Sequence, residues 1–266
     1  MWDFYRKVLP VFFCCLFLDE SLCAEEIRID HVTVAVSNID DASNSYKNMG
    51  FTIKPGRIHN NGLLNAHIKM LGNTAIELMS LVGIAKDEAS RKYDEVLRAG
   101  EGGAYLALTG MSPEKFSALV GEVPFRHEII KGKLWDYVIF PEGSGLEHIY
   151  LYSPNREFRD QAWVYNHPNE AKKIDKVWLE GGEKVEKLLE VLGAQYLGEI
   201  TNHLGSTGKS YYTSTGNIVV VQGDSGRRPR ILGLSIEMTS EKDSILIDSD
   251  RAHGIWIDSL DGESVE

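Results

Sequence analysis

Beyond its first 24 residues this chain has no cysteine, because Cys14, Cys15 and Cys23 account for all three. Disulfides, thiolate metal sites, cysteine nucleophiles and redox motifs are therefore excluded from the remainder, which must be stable through its core alone. Basic charge is also scarce. Lys and Arg total 28 against 39 Asp and Glu, a formal net charge of −11, which argues against nucleic acid or anionic lipid as a partner. It also disfavours a strongly anionic ligand unless Lys or Arg line a pocket locally. Low-complexity and coiled-coil segments are missing. The long apolar run is residues 8–18, too short to cross a bilayer as a helix. Arg6 and Lys7 precede it and Ser21-Leu22-Cys23-Ala24 follow it, the arrangement of a cleaved leader. Residues 1–24 are thus expected to be a signal peptide, with a secreted or periplasmic mature protein and no membrane span once it is removed. Acylation of Cys23 is disfavoured, since Glu20-Ser21-Leu22 is a poor match to the small residues such a signal needs.

What is present is a repeat. In residues 29–36, Val32, Val34 and Val36 alternate with His31, Thr33 and Ala35, the period of a half-buried strand. Ile39, Ala42, Tyr46 and Met49 then form the stripe of an amphipathic helix that Gly50 stops. Strands follow at residues 51–53, 65–71 and 74–81, the last two joined by Gly72-Asn73. A second unit has the same order. It comprises a strand at 104–108 and a helix started by Ser112-Pro113-Glu114 with Phe116, Leu119 and Val120 buried. Strands at 125–130, 133–140 and 146–152 complete it. A third begins at residue 174, with a helix carrying Val185, Leu188, Leu189 and Leu192 and strands near Tyr196, Tyr211 and 218–221. A fourth is shortened to residues 231–238, 245–247 and 254–259. The expected fold class is α+β, built from tandem βαβββ modules whose curled mixed sheets surround a cavity, with a second, more degenerate module pair. The front pair would span residues 25–153, a linker 154–171, and the back pair 172–266. Residues 86–98, with Tyr93, Val96 and Leu97 at helical spacing, read as a surface helix.

These residues resemble the vicinal oxygen chelate superfamily, and more narrowly its glyoxalase-like members. Three stretches carry the resemblance. The first is Ile29-Asp30-His31-Val32 with Asn38-Ile39-Asp40-Asp41-Ala42 and Met49-Gly50-Phe51. The second is Gly56-Arg57-Ile58-His59 with Gly62-Leu63-Leu64-Asn65-Ala66 and Ile76-Glu77-Leu78. The third is His167-Pro168-Asn169 and Ala171 ahead of Ile174-Asp175-Lys176-Val177. The superfamily includes isomerases, lyases, extradiol dioxygenases, epimerases and drug-sequestering proteins, so the fold does not choose an activity.

Strand alternation turns His31 and Thr33 to the face opposite Val32 and Val34, and Glu77 to the face opposite Ile76 and Leu78. Aligning Leu146-Glu147-His148-Ile149 with Ile76-Glu77-Leu78-Met79 makes Glu147 the counterpart of Glu77. The resemblance implies that His31, Glu77 and Glu147 stand where metal-binding relatives hold ligands, the fourth place falling near Gly103, which has no side chain. Such a set suits Mn²⁺, Mg²⁺, Fe²⁺ or Zn²⁺, with Glu77 and Glu147 moving a proton at a small carbonyl or hydroxy compound. An extradiol site needs a second imidazole, and only His67, on the face of Asn65, is placed to supply it. His59, Asn65, His67, Tyr105, His167 and Asn169 are the candidate ligand contacts. Against this stands a bland reading, in which His31 hydrogen-bonds a neighbour at the strand start, Glu77 is ion-paired, and the Asn and His residues satisfy turns. Two functions lead, a metal-dependent lyase or isomerase, or a non-catalytic protein that binds or sequesters a small organic ligand; an interaction protein of the cell envelope that retains only the fold ranks last. A homodimer is compatible with either. In the third unit Lys176 takes the place of His31 and no Glu closes the sheet, so the back pair is expected to be scaffold or to hold an apolar cavity.

Overall fold

The alternating valines at the start of the first unit fold as β1 (Arg28–Ala35), with Val32 and Val34 fully buried. The computed structural model describes residues 26–155, 160–223, 229–240, 244–259 and 263–264; the leader-like segment and its cysteines lie outside them. Asn38 caps α1 (Ile39–Asn48) by accepting from the Asp40 and Asp41 amides, and Ile39, Ala42 and Tyr46 are buried. Gly50 leaves the helix at φ 87°, a left-handed value that costs glycine little. β2 (Lys54–Ile58), β3 (Leu63–Met70) and β4 (Thr74–Leu81) complete the unit. The strand expected at residues 51–53 thus begins three residues later. Its backbone is already engaged: the Thr52 amide donates to His167 Nδ1 at 3.0 Å and the Thr52 hydroxyl to the Asn166 carbonyl.

Next come α2 (Glu88–Ala99), β5 (Gly102–Thr109), α3 (Pro113–Gly121), β6 (Glu128–Ile130), β7 (Trp135–Ile139) and β8 (Ile149–Pro154). The predicted helix at residues 86–98 is α2, started by a capping box in which Asp87 and Ser90 exchange side-chain and backbone hydrogen bonds. β9 (Ala171–Gly181), α4 (Glu183–Val191), β10 (Gln195–Thr201), β11 (Thr207–Thr213) and β12 (Gly216–Gln222) form the third unit. β13 (Ile231–Met238), β14 (Leu246–Ile247), β15 (Trp256–Asp258) and β16 (Glu263–Ser264) follow, with no helix among the described residues.

Pairing shows how the units assemble. β1 is parallel to β4 and antiparallel to β5, giving a front sheet in the order β6-β7-β8-β5-β1-β4-β3-β2. The back sheet repeats this around β9 and β13, which are antiparallel to each other. The sheets join where Ile231 of β13 meets Gly103 of β5. On the helix side, Val32, Ile76 and Leu106 of the front and Val177, Ile218 and Leu234 of the back belong to one hydrophobic core with α1, α3 and α4. The opposite faces are separate and differ in kind. In the back sheet that face is filled by Trp178, Val219 and Trp256, with the Trp178 indole donating to Ser235 Oγ at 3.0 Å. The Trp256 ring lies against Gly233, where a Cβ would come within 2.1 Å of it. The back pair is thus plugged by its own indoles, and the tyrosine-lined polar cluster belongs to the front.

Gly103 is required at the seam. A Cβ there would stand 2.4 Å from Ile231 Cβ, so the fourth ligand place could not fall on this residue. Gly103→Ala is expected to destabilise the protein by roughly 1–3 kcal/mol, the usual cost of overpacking. Urea denaturation checks this, and wild-type stability would contradict so close a seam.

Candidate functional site

The inner face of the front sheet carries a polar cluster that follows from strand alternation. Thr33 of β1 and His67 of β3 lie on either side of Glu77 of β4, and His31 projects from one pleat further along β1. His31 is the centre. Its Nδ1 is 2.5 Å from Asp30 Oδ1, and its Nε2 is 2.8 Å from the Tyr150 hydroxyl and 3.3 Å from Glu77 Oε2. Burial alone would lower the imidazole pKa, but the hydrogen bonds and charges of Asp30 and Glu77 outweigh it and raise it to about 9. Burial would likewise raise Glu77, yet His31, with His67 and Asn65 adding to it, holds the carboxyl down at about 2. At neutral pH the pair is imidazolium and carboxylate, and both ring nitrogens are donors.

Asn65 ties this pair to the rim. Its amide nitrogen donates to Glu77 Oε1 at 2.8 Å and lies 3.2 Å from His67 Nε2, while its oxygen accepts from the Arg57 amide at 2.9 Å. Gly56 makes room for this, since a Cβ there would fall 2.1 Å from the Asn65 oxygens. His67 Nδ1 is 3.9 Å from Glu77 Oε1. Burial keeps this second imidazole neutral, with a pKa lowered to about 4.

The walls are aromatic. Tyr150 and Tyr152 stand edge-on to His31, with ring centroids at 6.0 and 5.5 Å. Tyr137 contacts both at 5.9 and 5.8 Å, and Trp135 reaches Tyr152 at 6.0 Å. Tyr105 packs on Tyr150 at 6.2 Å and on Tyr93 of α2 at 5.1 Å, so the surface helix closes one end of the cluster. Burial pushes the Tyr93, Tyr137, Tyr150 and Tyr152 phenols upward, and they remain neutral hydrogen-bonding groups.

Comparison with known proteins agrees with this architecture. A sequence model of the glyoxalase-like domain matches residues 29–184, more than half of the chain. The chain belongs to the glyoxalase-like family. No curated protein matches it. Among solved structures, a hypothetical protein from Staphylococcus aureus is 11% identical with a TM-score of 0.64, covering 87% of this chain and 98% of that chain. Homoprotocatechuate 2,3-dioxygenase from Brevibacterium fuscum, in complex with 3,4-dihydroxyphenylacetate, is 13% identical with a TM-score of 0.56, covering 89% of this chain and 81% of that one. At these identities the likeness is one of fold, that of the vicinal oxygen chelate superfamily.

In this glyoxalase-like chain His31, Glu77, Asn65, His67 and Tyr105 come together, and Glu147 does not join them. β8 begins at Ile149, with Leu106 opposite Ile149 as Val32 is opposite Ile76. The counterpart of Glu77 is therefore Tyr150, three residues beyond Glu147, and the counterpart of His31 is Tyr105. Glu147 lies in the preceding turn, where its carboxylate accepts from the Gly145 amide at 2.7 Å and the Ser144 hydroxyl at 3.2 Å. His59 sits at the rim near Arg57 and Glu77; its Nε2 is buried without a well-formed hydrogen bond. His167 and Asn169 are staples. His167 Nε2 donates to the Lys69 carbonyl at 2.9 Å while its Nδ1 accepts from Thr52, and Asn169 donates to the Met49 carbonyl at 2.9 Å. Both join the first unit to the segment entering β9. Sequence reading missed Tyr137, Tyr150, Tyr152, Trp135 and Arg57. The signal was the alternation Trp135-x-Tyr137 and Tyr150-x-Tyr152, with buried Val138 following the first and buried Leu151 inside the second.

The donor set does not fit a protein-held divalent ion. The four corresponding places hold His31, Glu77, Tyr105 and Tyr150, one imidazole and one carboxylate among phenols. His31 and His67 approach opposite oxygens of Glu77 rather than one point. Among the described residues no three His, Cys, Asp or Glu groups converge as metal ligands do.

The buried pair makes stability depend on pH with a defined sign. His31 binds its proton more tightly folded than unfolded, where it titrates near 6.5. Its contribution is complete below about pH 6.5 and is lost as the pH rises through about 9. Glu77 contributes above its ordinary 4.5 and loses that contribution as the pH falls toward about 2. His67, neutral in the fold, adds a penalty as the pH falls from 6.5 through about 4. Thermal melts should therefore show greatest stability near pH 6.5, with an alkaline limb that His31→Gln flattens. An alkaline limb unchanged in that variant would contradict the assignment.

Proposed function

We propose that the front half is a binding site for a small organic molecule, working without a resident metal. The observation that supports this most is the saturation of His31: Nδ1 is taken by Asp30, and Nε2 by Tyr150 and Glu77. A lone pair for a metal on the inward-facing Nε2 would require removing the proton that Glu77 and Tyr150 share. General acid–base work is also poorly served, because it is most efficient with a pKa near the working pH. Here the acid is held at about 9 and the base at about 2.

What the site does offer is a fixed array of hydrogen-bonding groups in an aromatic enclosure, the composition of a small-molecule pocket. The Tyr150 hydroxyl and Glu77 present a donor and an acceptor to a hydroxyl or carbonyl group, and rings of Tyr137, Tyr152 and Trp135 supply flat apolar surface. Of the two functions the sequence leaves open, this favours binding or sequestration over a metal-dependent lyase or isomerase acting through Glu77. The leader-like pattern of residues 1–24 supports a secreted or periplasmic location for such a binder.

Mature protein purified without chelator should contain only substoichiometric metal. A metabolite panel rich in hydroxylated and carbonyl aromatics should raise its melting temperature by several degrees without turnover, because a ligand that binds only the folded state stabilises it. Glu77→Gln, which leaves Tyr150 in place but dissolves the ion pair, should weaken that ligand shift. Stoichiometric metal, with chelator abolishing both the ligand shift and a measurable turnover, would overturn the proposal in favour of the metal-dependent enzyme.

A further inference from the structure

The chain is acidic overall, yet the rim of the tyrosine cluster is not. Arg57, on β2, places its guanidinium 5.7 Å from the centroid of the Trp135 ring, a favourable cation–π arrangement. It is exposed and forms no ion pair among the described residues. On the same edge Lys54 bonds Asp160, and Lys69 lies 3.7 Å from that carboxylate, so two further cations share one anion. At the floor the balance reverses: Asp30 and Glu77 face the single imidazolium of His31.

Between floor and rim runs a continuous aromatic surface. His31 touches Tyr152, Tyr152 touches Trp135, and Arg57 caps Trp135, at successive spacings of 5.5, 6.0 and 5.7 Å. A flat molecule along this wall would meet neutral hydrogen-bonding groups inside and positive charge outside. The direction is electrostatically set, since an anionic group at the floor is repelled by Asp30 and Glu77 and attracted outward. The rim is also held at a fixed place, because the Arg57 amide bonds to the same Asn65 that holds Glu77.

Resting on the binding reading above, we propose that the ligand is a planar or aromatic carboxylic acid. Its carboxylate is held by Arg57 at the rim, and its hydroxyl or carbonyl end points to Glu77 and Tyr150. Arg57 then sets specificity for the acid over its neutral derivatives, through a bidentate carboxylate contact that a stacked guanidinium is shaped to make.

The test uses matched pairs of probes, 4-hydroxybenzoic, 4-hydroxyphenylacetic and 4-hydroxycinnamic acids each against its primary amide, titrated into mature protein with intrinsic fluorescence as the readout. At least one acid should bind roughly tenfold or more tightly than its amide, as expected for a charged hydrogen bond, and the preference should shrink with added salt. Arg57→Gln should erase the preference for acid over amide, and Arg57→Lys should restore it in part. Amides that bind as tightly as the acids, or a preference that survives Arg57→Gln, would overturn the anion assignment and leave the pocket standing. No binding by any acid or amide would overturn both the assignment and the pocket reading beneath it.

Discussion

The polar interior of the front half depends on one interaction, the clamping of the His31 imidazolium between Asp30 and Glu77. A buried carboxylate and a buried imidazole are each costly to remove from water, and each is tolerated here because the other is beside it. The rest of the cluster serves the same pair. Asn65 satisfies the second oxygen of Glu77, Tyr150 shares Nε2 of His31, and Gly56 stays bare so that Asn65 can reach across to Arg57. Losing His31 would strand the Glu77 carboxylate among phenols, and losing Glu77 would leave the imidazolium on Asp30 alone. For this reason the pair reads as a fixed scaffold of hydrogen bonds more than as a proton shuttle.

The two halves illustrate how one topology yields different interiors. Front and back sheets share strand order and a common helix-side core. On the inner side, position 31 is His and position 77 is Glu in the front; their register counterparts behind are Lys176 and Val219. Trp178 and Trp256 then occupy the back sheet's inner face. His203 is bonded there to Asp258 at 2.7 Å and stands edge-on to Trp256 at 4.8 Å, an arrangement that packs rather than opens. Fold likeness to dioxygenases therefore carries no chemistry by itself; the residues at the four corresponding places decide it.

Much of the front unit was legible in the sequence. Period-two alternation located β1 and turned His31 and Glu77 inward, and the stripe of Ile39, Ala42 and Tyr46 located α1. Glu147 was misread because a glycine-containing turn intervenes before β8, where alternation no longer reports on facing. The Tyr150-x-Tyr152 pattern carried the right register three residues on. Phe51 and Ile53 look like a strand because they are buried, but their neighbour Thr52 bonds to residues more than a hundred positions away. His167 and Asn169 read as candidate ligand contacts for the same reason: a staple whose partners are remote in sequence has no local signature. Tyr93 on the surface helix reaches the aromatic cluster only through the tertiary placement of α2, which no period reveals.

The central claim is most directly tested by nitrogen NMR of the His31 imidazole in the folded protein. Two protonated ring nitrogens at pH 7, with loss of one proton only near pH 9, are the predicted result. A neutral tautomer at pH 7, or titration at the ordinary 6.5, would contradict it.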